Sequence, residues 1–262
     1  MATTHTNQSG IGRLTQQSSP DIWLTFGRYR ARLAETDDDR SAIYRLRFLV
    51  FNLELNEGVE AAYETGEDRD AFDAFCDHLL VEDVPTGKIV GTYRMQSGAR
   101  AGEALGYYSA CEFDFAPYEP LRASILELGR ACVHREHRSL EVLTLLWRGI
   151  ARYAKLRGLR YLVGCCSVTT QDPRVGATMY GNLSGYLAGP EFLTVASPEC
   201  SIPLDELLQE KPKPPKLLRA YLAVGAKICG PPAIDREFQT IDFLTLLDLE
   251  DLSPTVKARF LG

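Results

Sequence analysis

A chain of 262 residues, 45% apolar and 24% charged, is long enough to bury a sizeable core in one large domain. No apolar run approaches the roughly 18 residues of a membrane span, and the first twenty residues lack the apolar stretch of a secretory signal. The net charge of -6 conceals a division: residues 54–84 hold eleven acids against the base Arg69, and residues 130–160 hold eight bases against two acids. Such asymmetry points to one cationic and one anionic partner, with solvated faces as the plain alternative; no nucleic acid is expected.

Residues 1–27 read as a disordered tail. "RYRARLAE" (28–35) alternates as a strand does, and "DDDRSAIYRLRFLVFNLEL" carries Ile43, Leu46, Phe48, Val50 and Phe51 on a helical face. "HLLVEDVPTGKIVGTYRMQS" is a hairpin turning at Pro85 to Gly87. "ILELGRACV" (125–133) is a buried strand with two opposite charges, Glu127 and Arg130, inside it. The next helix runs from an N-cap at Ser139 to a stop at Gly158, followed by the strand "LRYLVGCCSV" and a helix over 175–187. "QEKPKPPK" (209–216) is a connector. The domain therefore spans 28–208, and the apolar segment 209–262 is an extension expected to pack on it. Within it, Leu217, Leu218, Tyr221, Leu222 and Val224 beside Lys216, Arg219 and Lys227 have the pattern of an interfacial helix.

This order of elements resembles the GNAT acyltransferase fold, an α/β architecture with a mixed central sheet flanked by helices. Arg47-x-x-x-Phe51, Asp70-x-x-Asp73, Arg94 at the hairpin end and Glu127-x-x-Arg130 look like patterns of the acyl-homoserine-lactone synthases. The strings "RLRFLVF", "ELGRACVHREHR", "LWRGIARY", "GCCSV" and "GAKICGPPAIDREFQTIDFLTLLDLE" resemble the hemolysin-like ornithine-lipid N-acyltransferases. The resemblance covers 28–262. It implies transfer of a fatty acyl group, 3-hydroxylated in that family, from acyl-carrier protein to the α-amine of ornithine, giving a lyso-ornithine lipid. The donor would be a 4'-phosphopantetheine thioester, with no bound cofactor or metal. Other acceptors such as glycine, a homoserine-lactone synthase, and a non-catalytic lipid- or carrier-binding module are the alternatives. "HREHRSLE" has no glycine where acetyl-CoA-dependent relatives wrap the diphosphate, which suits a carrier-linked arm bringing a single phosphate to the following helix N-terminus.

Under that reading Glu127 is the general base, and Arg47, Asp70, Asp73, Arg94 and Arg130 shape the acceptor end of the pocket. An amino-acid acceptor needs a cation for its carboxylate and, if ornithine-like, an anion for its second ammonium. The plain alternative is an ion-pair network tying the first helix to the sheet. Arg135 and Arg138 would meet the acidic carrier protein. His134 stays outside the catalytic set, Trp147, Phe72 and Phe75 are assigned to the core, and the seven cysteines are read as reduced in a cytoplasmic protein, with peripheral contact to the membrane face.

Side chains alternate across a strand, so residues three apart face opposite sides. Glu127 and Arg130 reach one cavity only through a bulge, expected between Leu128 and Cys132 with Gly129 as the residue best suited to it. The same irregularity would splay this strand from "LRYLVGCCSV".

Overall fold

The computed structural model describes residues 20–260. Its first strand, β1 (Trp23–Phe26), pairs antiparallel with β2 (Tyr29–Leu33). Within the segment expected as a tail over 1–27, Trp23–Phe26 is thus a paired strand. Gly27 makes the tight turn at φ 58°, Ile22 is buried in the core, and Arg30 stacks on the Trp23 ring at 4.4 Å. Residues 1–19 lie outside the described part.

Helix α1 (Asp37–Phe48) starts at a reciprocal cap between Thr36 and Asp39, with three aspartates in its first turn and Arg45 and Arg47 in its last. It then widens into a π-helical turn over Leu49–Glu54, a geometry frequent at functional sites. A short helix α2 (Ala62–Thr65) and a 3-10 turn (Ala71–Phe75) lead into the hairpin β3 (Asp77–Asp83) and β4 (Lys88–Ser97). After α3 (Gly98–Glu103) comes β5 (Ile125–Val133), then α4 (Leu140–Arg157), capped by the Ser139 hydroxyl and ended by Gly158 at φ 67°. Strand β6 (Tyr161–Val168) and α5 (Pro173–Asn182) follow. The C-terminal part adds α6 (Lys216–Val224), β7 (Lys227–Ile228), β8 (Ala233–Asp235), β9 (Thr240–Asp248) and α7 (Pro254–Phe260).

All nine strands join one sheet in the order β1-β2-β3-β4-β5-β6-β9-β7, with β8 on β9. Among the described residues only β5 and β6 run parallel. The segment after 209 thus continues the sheet as well as packing beside it, since β9 pairs with β6 along eight residues. One face of the sheet is covered by α4, whose Leu145, Leu146 and Ile150 meet Leu79, Val81 and Leu126; the other receives α1 through Ile43 and Leu80.

Helix α6 packs partly against the core. Leu218 and Leu222 are buried against Ile228 and Phe243, and the Tyr221 hydroxyl bonds that of Tyr93. Those two residues are spent on the core, while Leu217, Tyr221 and Val224 stay half-buried, so less of the helix's apolar face than expected is free for an interface. Phe75 is exposed instead of being core.

Candidate active site

The ladder between β4 and β5 shifts by one residue. Thr92 faces Cys132 and Arg94 faces Gly129, so Tyr93 opposes both Arg130 and Ala131. This is the expected bulge, but Arg130 itself carries the left-handed backbone at φ 50°, not Gly129. A Cβ on Gly129 would meet only the Arg94 side chain at 3.8 Å, an ordinary contact. The irregular residue is held from outside. The Arg130 guanidinium donates to Asp70 at 2.8 Å and lies over the rings of Phe238 and Tyr108 at 4.1 and 4.7 Å.

Parallel pairing of β5 with β6 stops at Glu127 and Val163. Just beyond it the backbones come close, since a Cβ on Gly164 would lie 2.2 Å from the Leu128 carbonyl oxygen. Past that contact the strands part around a cavity of about 760 Å³. Glu127, Arg94, Arg130 and Arg138 all line it. Both charges of the interrupted strand therefore reach one space.

Glu127 is 5% exposed and makes no ion pair among the described residues. Its carboxylate oxygens accept the backbone N–H groups of Tyr108 at 2.9 Å and Ser109 at 2.8 Å. Burial pushes its pKa up, and those two N–H groups oppose the shift by stabilising the charged form. The result is a fixed carboxylate with an unusual affinity for a proton and lone pairs to spare. Its neighbour across the ladder, Gln96, is buried with neither amide atom partnered, and it also lines the cavity.

The remaining charges form one neutral network of three arginines and three aspartates. Arg47, fully buried, donates to Asp68 at 2.7 Å and to Asp73 at 2.7 Å. Arg94 donates to both oxygens of Asp70 at 2.7 Å and approaches Asp73 at 3.3 Å. Arg130 reaches Asp70 and lies 3.6 Å from Asp68. Burial alone would raise the pKa of Asp70 and Asp73; the arginines outweigh it and hold both below the usual range. Arg47, Asp70 and Asp73 stand behind Arg94 and Arg130 and are not on the cavity wall. One Arg94 nitrogen, Nη2, is left without a partner. Asp68 escaped the sequence reading, although it sits in the same acidic run.

Arg135 lies exposed on a 3-10 turn, and Arg138 pairs with Glu54 at 2.6 Å at the cavity's edge. Ser139 and Leu140, at the N-terminus of α4, line the same edge. The cysteines on the wall are not thiolates: burial pushes Cys132 and Cys76 up to about 12, and Cys165 well above its ordinary value. A cysteine nucleophile does not fit this site.

Residues 46–148 match the family model of an acetyltransferase (GNAT) domain. The L-ornithine N(alpha)-acyltransferase of Brucella abortus is 34% identical over 245 residues, spanning 87% of this chain and 86% of its own. The protein of that name from Agrobacterium fabrum is 31% identical over 255 residues, covering 91% and 87%. Among solved structures, the AHL synthase LasI superposes with a TM-score of 0.52 at 14% identity, over 89% of this chain and 95% of that one. FeeM, an N-acyl amino acid synthase from uncultured soil microbes, gives 0.51 at 12% identity over 86% and 92%. At such identities these two share the fold and nothing more is read from them.

Proposed function

The chain belongs to the GNAT-fold family of ornithine N-acyltransferases, and from that premise we propose that it moves a fatty acyl group from acyl-carrier protein to the α-amine of ornithine. The product is a lyso-ornithine lipid. The observation that carries this reading is Glu127: a buried, unpaired carboxylate held by two backbone N–H groups on the wall of a large cavity where two strands part.

The α-ammonium gives a proton to Glu127, and the freed nitrogen attacks the thioester carbonyl. The C–N bond forms as the C–S bond breaks, and the pantetheine sulfur leaves as a thiol after taking up the amine's second proton. A raised carboxylate pKa suits this task, because the base must hold a proton from an ammonium while remaining ionised part of the time. Arg94, with its free Nη2, and Arg130 bind the acceptor carboxylate, while Arg47, Asp70 and Asp73 hold those two cations in place. The pantetheine arm lies along the part of β5 that β6 leaves unpaired. Its phosphate rests at the N-terminus of α4, and Arg135 and Arg138 face the carrier protein.

The test is reconstitution. Purified protein with 3-hydroxyacyl-carrier protein and a panel of free amino acids should give, by mass spectrometry, an ornithine amide in large excess. Acylation of glycine or another amino acid instead, or faster turnover with free acyl-CoA, overturns the acceptor or the donor respectively.

A further inference from the structure

A second group of acids stands at the same cavity, Asp235 and Asp242 on its wall and Glu112 beside Asp242 and Cys165. Among the described residues no arginine lies within ion-pair distance of them, Arg130 acting on Glu112 only from further off. The carboxylates of Glu112 and Asp242 and the sulfur of Cys165 lie within 4.8 Å of one another. Glu112 is 5% exposed and Asp242 4%. Asp242 accepts a hydrogen bond from the Thr240 hydroxyl at 2.9 Å, but Oε2 of Glu112 has no partner. Asp235 and Asp242 line the cavity, as does Gln96 with its two unpartnered amide atoms. Among the described residues the three carboxylates make no salt bridge, in contrast to Asp68, Asp70 and Asp73.

Burial first, and the nearby Asp242 second, push the pKa of Glu112 up; burial likewise raises that of Asp242. Two carboxylates this close cannot both ionise unless a cation joins them. The sheet also sets their position. Val163 is the register partner of Glu127, and Cys165 stands two residues further along β6, about 7 Å at strand spacing. That is the scale of an extended diamino acid.

We propose that Glu112 and Asp242, with Asp235 at their rim, form the pocket that holds the side-chain ammonium of the acceptor, leaving its α-amine beside Glu127. The assignment rests on the reaction proposed above and adds to it the residues that choose the nitrogen. An ammonium supplies three donors, enough for the free Oε2 of Glu112 and for Asp242. While held there it keeps its proton and is no nucleophile, so acylation falls on the α-nitrogen alone. Asp70 and Asp73 cannot do this, because arginines already occupy them. A divalent metal would take the same two carboxylates with Cys165 as its third protein ligand, and the test separates the two occupants.

The test compares L-ornithine with L-norvaline, which has the same carbon chain without the ammonium, using the full chain and a carrier-linked acyl donor. Wild type should prefer ornithine by at least about a hundredfold in kcat/KM, since a site with buried polar groups rejects an analogue that leaves them unpaired. Asp242→Asn and Glu112→Gln should each cost ornithine at least about tenfold, mainly in KM, and leave norvaline within about twofold. Asp235→Asn, nearer the surface and safer for folding, should move the same ratio in the same direction by less. L-ornithine should raise the Tm of wild type and not of Asp242→Asn. Unchanged discrimination in the folded variants, or equal losses on both acceptors, overturns the pocket while the reaction stands. No ornithine acylation by wild type sinks the reaction and the pocket with it. A stoichiometric divalent metal in purified wild type, lost in Asp242→Asn, replaces the ammonium with a metal centre and overturns the proposal.

Discussion

At the scale of single residues, the strand charge that matters chemically is the one without a counter-charge. Arg130 is matched by aspartates, whereas Glu127 is matched by two peptide N–H groups that fix its direction without neutralising it. Glu127→Gln keeps the shape and removes the proposed base, so turnover should fall by about 10² to 10⁴ with the fold intact by circular dichroism. A folded variant turning over at the wild-type rate would take Glu127 out of the mechanism. The pH dependence has a definite sign. Burial raises the Glu127 pKa, so with Glu127 as the proposed base kcat/KM should climb along an acid limb whose midpoint lies above the ordinary glutamate range. A limb centred at or below that range would mean that another group limits the rate. The positive φ of Arg130 carries backbone strain of about 1–3 kcal/mol, offset by its ion pairs and the two rings around it.

At the scale of elements, the parting of β5 from β6 decides where chemistry is possible, and its hinge is Gly164. Gly164→Ala would place a methyl group 2.2 Å from the Leu128 carbonyl oxygen, which only backbone movement can relieve. The expected result is a protein destabilised by a few kcal/mol and nearly inactive, read by urea unfolding and by assay. The bulge was legible in advance because charges three apart in a strand cannot share a face. Which residue carries it was not, because Arg130 is held in its unusual conformation by Asp70, sixty positions away in sequence. The network behind it ties α1 to the sheet as well as serving the cavity. Asp73→Ala leaves Arg47 buried with one partner fewer and should cost about 3–5 kcal/mol at neutral pH. Because the folded pKa of Asp73 is depressed, its contribution is present above the unfolded value and is lost as pH falls toward the folded one. Urea midpoints of wild type and variant should therefore converge in acid.

At the scale of the whole molecule, the charge division visible in the sequence is largely answered internally. Asp68, Asp70 and Asp73 are taken by three arginines, Glu54 by Arg138 and Asp83 by Arg28. Within the basic run, Arg160 pairs with Asp248 and Arg148 donates to the backbone of Arg259, far from the cavity. Spacing along the chain showed how many charges there were but not which faced one another, since the partners come from distant elements. The same limit hid Asp242. An acid inside the apolar run "QTIDFLTLLDLE" is the signal that marked Glu127, yet only the pairing of β9 with β6 brings it to the cavity. What remains for the proposed acidic carrier is small: Arg138 at the cavity's edge, whose pair with Glu54 is itself partly solvated, and Arg135, exposed on the preceding turn. Exposed pairs of that kind are worth about 0–1 kcal/mol, so Arg138 can exchange Glu54 for a carrier carboxylate at little cost. Reversing both charges, Arg135→Glu with Arg138→Glu, should raise KM for an acyl-carrier donor severalfold at low salt. The effect should shrink toward 1 M salt, where the Debye length falls from about 10 Å at 0.1 M to about 3 Å. Turnover with a small acyl-pantetheine thioester should be untouched. A salt-independent effect, or equal losses on both donors, would move carrier recognition to another face of the molecule.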